Sequence, residues 1–434
     1  MSSPTCVVVL ASLASLAGIA APVGAQPLQL PVLQREAQAR DARAKELELL
    51  DAQSALRIRN IEAERLPAIS VLGQTQYQSD VPTPPPFLPG GQPLFLPPKD
   101  TYDAWVRVDQ RIVDPASSAR LAVERATLAE SQARVRSTLF VLRSEVNDAF
   151  FAVALLQEQL GVVTATIADL EGRLRETNAR VREGAALAGE AAAVEATLLQ
   201  QRQRADEIRS ARAAALARLA ALAGHPIADD ATVSLPELTD AIAEARRGLT
   251  ELRARPEYEQ FDRARDRVAQ QQSLAAALDR PQLFAFGRAG YAKPGLNVIG
   301  STWETYALGG VLLQWKAWTW GSTGREREAL GLQRSIVTAE EAAFTDGLRR
   351  AIQLDLATID RLQDTLASDD RIVSLRDAIQ RAARVRLSEG VIVASDYLDR
   401  ELERQSAEFD RARHRVELAQ ARTRVLTTLG LEVR

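Results

Sequence analysis

The chain repeats itself at long range, and that repetition limits what it can fold into. Glu183-Gly184 and Glu389-Gly390 lie 206 residues apart, and Gly224 and Gly430, each closing a long Ala/Leu/Arg stretch, share the same offset. Nearer the start of each half the offset is 214: Pro67, Gly73 and Tyr77 recur as Pro281, Gly287 and Tyr291, so P-x5-G-x3-Y stands in both places. Internal spacings shared at 6, 4 and 40 residues point to the tandem duplication of a unit of about 200 residues. The unit has no shorter period inside it. It is therefore half of a two-copy structure and not the turn of a solenoid.

The N-terminus reads as an export signal. Cys6 to Ala20 form an apolar core and Val23-Gly24-Ala25 is a small-x-small cleavage site, so residues 1–25 are the leader. An uncleaved anchor is the alternative, because no Lys or Arg precedes the apolar core. Cys6 is the one cysteine, and cleavage removes disulfide and thiol chemistry from the mature chain. No later window supplies about 18 uninterrupted apolar residues, which leaves a periplasmic protein or one inserted as β-strands. A net charge of −3 over 434 residues gives no footprint for nucleic acid. His225 and His414 lack the neighbours that a metal site or catalytic triad needs, so neither metal, cofactor nor enzymatic activity is expected.

Periodicity orders the rest. Residues 29–65 read as a helix ending at Pro67, after which the period changes to two: Ile69, Val71, Gly73, Thr75 and Tyr77 share a face. Residues 104–113 alternate likewise, and eight of the nineteen prolines fall in the loop 78–101 between the two runs. This hairpin, about 68–113, has a counterpart at about 282–314. Each strand has about ten residues, enough for a tilted strand to cross a bilayer.

A very long helix follows each hairpin, over 115–184 and over 321–390. The first carries two interleaved seven-residue ladders, Leu121-Leu128-Val135-Leu142-Ala149-Leu156-Val163-Leu170 and Leu139-Val146-Val153-Leu160-Ile167-Leu174-Val181. Such a pattern is a coiled-coil seam. The second keeps the seam less strictly, with Asp355 and Asp369 intruding. At about 1.5 Å per residue each helix is roughly 100 Å long. The chain returns to Gly224 or Gly430, and a linker through Pro236 leads to a further helix over 237–279. The organisation is a leader (1–25), a first structural repeat (26–236, with helical hairpin 115–224) and a second (237–434, with helical hairpin 321–430).

Hairpin, long helix, glycine break and return helix, performed twice after a leader, resembles the TolC-like outer-membrane efflux protein family over residues 29–434. The nearest local match is Gly390-Val391-Ile392-Val393-Ala394-Ser395-Asp396-Tyr397-Leu398, which looks like the family's G-x5-D-[VY]-L element at the periplasmic tip. The resemblance implies a mainly α fold with a membrane β-barrel contribution. Three copies would give a twelve-stranded barrel continued by a long periplasmic α-helical coiled-coil barrel, internally duplicated. It also implies a homotrimer in outer-membrane lipid that works with a periplasmic adaptor and an inner-membrane transporter. The alternative from another class is a soluble periplasmic coiled-coil scaffold or adaptor without a barrel. Barrel closure has a physical basis too: four strands cannot close, and an open edge in lipid leaves backbone groups unsatisfied.

The resemblance places candidate residues at both ends. Asp396 and Asp399, with Glu190 in the first repeat, would line the pore entrance; Gly184, Gly390, Val391 and Ser395 would form the tip where an adaptor docks. Trp315, Trp318 and Trp320, with Tyr77 and Tyr291, would form interfacial aromatic girdles. Leu387 and Ile392 occupy positions where closed-tip relatives carry an aromatic and a basic residue. The usual latch with Glu190 is thus missing, and Arg182 or Arg386 are candidates to replace it.

Overall fold

Two antiparallel helical hairpins and a four-stranded sheet account for most of the chain. The computed structural model describes residues 27–433 except 82–94, 96, 248–251 and 298–299. The leader and most of the proline-rich loop lie outside the described residues.

α1 (Leu30–Arg40) and α2 (Ala44–Ala63) precede β1 (Ala68–Tyr77) and β2 (Asp100–Val113). α3 (Pro115–Arg182) and α4 (Ala188–Ala223) form the first helical hairpin. α5 (Thr239–Arg247) and α6 (Pro256–Leu278) lead to β3 (Gln282–Lys293) and β4 (Glu304–Gln314). α7 (Ser322–Ser388) and α8 (Ala394–Leu429) form the second hairpin. The long helices have 68 and 67 residues and each return helix has 36, so the element order recurs at matching lengths.

The helix expected over 29–65 is two helices. No Gly or Pro breaks it; instead Asp41 takes extended angles, and its carboxylate accepts from the Arg43 backbone N–H and side chain at 2.8 Å. That hydrogen bond holds the Asp41 carboxyl below the usual aspartate range. The helix expected over 237–279 is also split, and Pro256 starts α6 at its first turn, where a missing N–H costs nothing.

All fifteen residues of the two α3 ladders are buried or half-buried. By composition α3 contains a stretch apolar enough to cross a membrane, about a third of it buried, and Val146, Phe150, Phe151, Val153 and Val163 pack within the chain. A central core joins α1, mid-α3, the ends of α4 and α8, α5 and α7 around Leu33, Phe150, Leu219, Ile242, Ile359 and Leu426. α6 packs against both α3 and α7 and is ion-paired to each, through Arg267–Glu130 and Arg265–Glu341.

The sheet order is β1-β2-β3-β4, with every pair antiparallel. β1 and β4 are therefore open edges in the single chain.

Candidate functional site

Strand alternation and register together give the sheet two unlike faces. Ile69 pairs with Val108, and Val71 with Val106 and through it Ala289. Ala285 then pairs with Val311, and Leu283 with Leu313. This outer face is apolar: Ile69, Val71, Val106, Val311 and Leu313 are all exposed. The inner face carries Asp103, Trp105, Arg107, Asp109, Arg288 and Tyr306. Along β2 and β4 outer residues are mostly exposed and inner ones mostly half-buried. The inner side chains cover one another, as they do on the concave side of a curled sheet.

Aromatic residues gather at both ends of the strands. At the loop end, exposed Tyr291 stacks on Trp303 at 5.1 Å, and Tyr102 lies 5.7 Å from the same ring; Tyr77, 68% exposed, ends β1. At the helix end, Trp315, Trp318 and Trp320 are 59%, 75% and 81% exposed. Trp318 and Trp320 meet edge-to-face at 5.8 Å, and the Trp315 indole N–H donates to the Asp279 carbonyl at 3.0 Å. Trp320 has φ of 53°, a left-handed angle disfavoured for a bulky side chain, immediately before Gly321 at 73°. Sequence reading missed Trp303 and Tyr102 as partners of Tyr291; the signal was their position beside the strand ends.

The far ends of the two helical hairpins are built alike. Gly184 and Gly390 both have φ of 72°, the left-handed angle that glycine adopts without a Cβ penalty. At each, the following residue's N–H reaches five residues back (Ala185 to Arg180 O and Val391 to Arg386 O, both 2.8 Å), which is the Schellman arrangement. Leu187 and Val393 then start the return helices in extended conformation. Val391 and Ser395 are exposed, as are Asp396 and Asp399; Glu190, the counterpart of Asp396 at an offset of 206, is half-buried.

The tips are joined by a small core of Leu170, Val194, Leu198, Ala383, Leu387, Ala394, Tyr397 and Leu398. Tyr397 is fully buried. Its hydroxyl donates to Asp169 at 2.5 Å and accepts from Gln380 at 3.0 Å, while the Arg173 guanidinium lies over its ring at 4.7 Å. Burial, then the Asp169 carboxylate, push the hydroxyl's pKa up. The link between tips falls to neither Arg182 nor Arg386: Arg180 donates to the Leu387 carbonyl at 2.8 Å. Leu387 is part of the core, not an empty latch position. Ile392 packs against that core, half-buried.

Both histidines do have partners. His225 lies 2.9 Å from Glu36, and His414 lies 2.7 Å from Asp369. Each is a single ion-pair contact, and no cluster able to hold a metal exists among the described residues.

Residues 32–225 match the family model described as outer membrane efflux protein. The fold is that of solved outer-membrane channels. It is similar to the outer membrane protein VceC of Vibrio cholerae, with a TM-score of 0.66 and 14% identity over 94% of this chain and 97% of that one. It is also similar to the open state of the MtrE outer membrane channel of Neisseria gonorrhoeae, with a TM-score of 0.65 and 18% identity over 94% and 90%. A third is CusC, described in its folding and transmembrane channel formation, with a TM-score of 0.67 and 13% identity over 93% and 92%. No curated protein matches by sequence. In fold the chain is similar to these channels. Residues 32–225 carry the sequence of the outer membrane efflux family, and the described chain as a whole carries the fold.

Proposed function

We propose that this TolC-like protein is the outer-membrane channel subunit of a tripartite efflux or type I secretion system, a passive exit duct across periplasm and outer membrane. Three copies form it, each giving four strands to one twelve-stranded barrel and four long helices to the tube below. The two halves, 26–236 and 237–434, are tandem copies of one unit, and residues 1–25 direct export and are removed. A periplasmic adaptor docks at the Gly184 and Gly390 tips, and an inner-membrane transporter supplies energy and selection.

The observation that carries this reading is the sheet with two open edges and an apolar outer face. In lipid, edge groups of β1 and β4 require partners, and a neighbouring copy supplies them. β4's eleven residues at about 3.4 Å each make about 37 Å, or about 28 Å of height at a tilt near 40°, close to the apolar band of a barrel. The aromatic clusters at the two strand ends then fall at the two interfaces. α7 points the same way, since Leu332, Ile336, Leu354, Leu375 and Val385 stay exposed in one chain and await another. A soluble scaffold would not present Val71 and Val311 to water. Particle imaging of the detergent-solubilised protein tests the reading: a three-fold tube is expected, and a folded monomer would overturn it.

A further inference from the structure

Inside the sheet's curve, four side chains are tied into one cluster near the loop end. Arg107 and Arg288 stand directly opposite each other in the β2–β3 register, an arrangement that repels unless each charge is compensated. They turn apart. Arg107 pairs with Asp109 at 2.8 Å, and Arg288 pairs with Asp103. The Arg288 guanidinium lies 3.9 Å from the centre of the Trp105 ring and 5.2 Å from that of Tyr306. The Tyr306 hydroxyl donates to the other oxygen of Asp103 at 2.7 Å. The Arg288 Nε is buried without a hydrogen-bond partner, so the aromatic rings and Asp103 hold it.

The site depends on a missing side chain. A Cβ at Gly290 would lie 2.7 Å from the Ala104 carbonyl oxygen and 2.8 Å from both the Trp105 Cβ and the Tyr306 hydroxyl. Only glycine lets the two aromatics close over Arg288. Asp103 is three residues from the loop end of β2, and Tyr306 two from that of β4. Arg288 is five residues from the loop end of β3 and Trp105 five from that of β2, so at about 3.3 Å per residue the cluster lies within about 17 Å of the strand ends.

We propose that Arg288 is a specificity-determining residue of the duct's outer mouth, and that Asp103, with Trp105 and Tyr306, keeps its charge paired so that the mouth offers no site for anionic solutes. This rests on reading the inner face as the wall of the duct. Three-fold symmetry makes the cluster a ring of clamped arginines, each neutralised from its own chain. Removing the carboxylate frees three positive charges at the exit; removing the arginine frees three negative ones. Small ions that pass along the wall feel the change directly, because they come within a Debye length of the freed charges, about 8 Å at physiological salt.

The test uses full-length trimers in planar bilayers under a potassium chloride gradient, with Asp103→Asn and Arg288→Gln made separately. Asp103→Asn is expected to lower the ratio of potassium to chloride permeability about twofold, and Arg288→Gln to raise it by a similar factor. Citrate added from the loop side should block Asp103→Asn and not wild type. Tyr306→Phe, which leaves both charges in place, should move the ratio in the Asp103→Asn direction by less, and it guards against misfolding in the stronger variants. Conducting trimers whose selectivity is unchanged, or shifts the same way in both charge variants, overturn this proposal and leave the channel intact. A wild-type protein that forms no pore overturns the channel reading itself.

Discussion

The two helical hairpins have nearly the same lengths and the same reversal, yet they are held together by different chemistry. α3 meets α4 through apolar side chains, with Val163 against Ala205 and Ile208, and Leu170 near Val194 and Leu198. Among the described residues a single ion pair, Arg202–Glu171, joins them. α7 meets α8 through five: Arg376–Glu403, Arg404–Asp377, Arg411–Asp370, His414–Asp369 and Arg424–Asp355. Asp355 and Asp369 sit at buried seam positions, where the first hairpin would place an aliphatic residue. Most of these pairs are partly exposed, where an ion pair adds little net stability, and the more buried His414–Asp369 pair adds little because desolvation offsets the attraction. The second hairpin is thus the one of the two that answers to pH and salt.

The largest effect should come from breaking the apolar seam. Leu170→Ala empties a fully buried site and should cost about 2–5 kcal/mol, read as a lower denaturation midpoint in detergent. The matching change in the second hairpin, Asp369→Leu with His414→Leu, should be neutral or stabilising by about 1–4 kcal/mol. Equal losses in the two hairpins would erase the distinction.

Protonation offers a gentler test. Burial raises the Asp355 pKa, with Arg424 opposing, and burial likewise raises that of Glu408, with Arg404 opposing. An acid whose folded pKa lies above its unfolded value binds more protons when folded, so stability falls as pH rises from the ordinary carboxylate value through the raised one. The α7–α8 pair should therefore be tighter at mildly acidic pH than at pH 7.5, with α3–α4 unmoved. Hydrogen exchange resolved by peptide reads this, and Asp355→Asn should flatten part of the response. Slower exchange at pH 7.5 than in mild acid, after correction for intrinsic rates, would contradict it.

How much of this contrast a reader of the sequence can see depends on the period of the interaction. The α3 ladders repeat every seven residues, so the seam was legible without coordinates, as were Gly184 and Gly390. The ion pairs have no period. They follow a mirror rule instead: Arg376 lies 14 before Gly390 and Glu403 13 after it, Asp355 35 before and Arg424 34 after. Folding the sequence about the glycine would have found them, though not His414–Asp369, which falls off that mirror by a turn. The break at Asp41 was hidden because the bond that makes it, Asp41 to Arg43, looks like any neighbouring charge pair. At the tip, a reading that looked for the absent latch overlooked Arg180 and gave Tyr397 no role beyond the motif, since both roles arise only when the two hairpins meet.

Both reversals use left-handed glycine, so a β-branched replacement tests them on equal terms. A Cβ at Gly184 meets nothing within 4 Å, and one at Gly390 meets only the Arg180 guanidinium at 3.8 Å. The penalty of Gly184→Val or Gly390→Val is then backbone strain, about 1–2 kcal/mol, confined to the tip. Adaptor capture should weaken while trimer assembly, governed by strands about 100 Å away, persists. The Gly390 variant should do more harm, because its turn also carries the Arg180 link and the exposed Val391. Loss of the trimer with capture intact would contradict this placement of the tip.

The smallest expected effect isolates the charges at the tips. The first return helix offers Glu190, half-buried, where the second offers Asp396 and adds Asp399 three residues on, both exposed on one helix face. If three copies bring these faces to a narrow entrance, Asp396 and Asp399 become six carboxylates that favour cations there. Asp396→Asn with Asp399→Asn keeps shape and most hydrogen bonding, so only charge changes. Bilayer recordings should show reduced cation preference, and weaker block by multivalent cations added from the tip side, with block from the loop side nearly unchanged. Glu190→Gln should do less than the double variant, because it removes three charges, not six, from a less exposed position. The two ends can then be told apart within one protein: charge changes at Asp103 alter block from the loop side, those at Asp396 and Asp399 block from the tip side. A double variant that conducts and blocks like wild type would reduce these aspartates to solvated helix surface, with the fold unaffected.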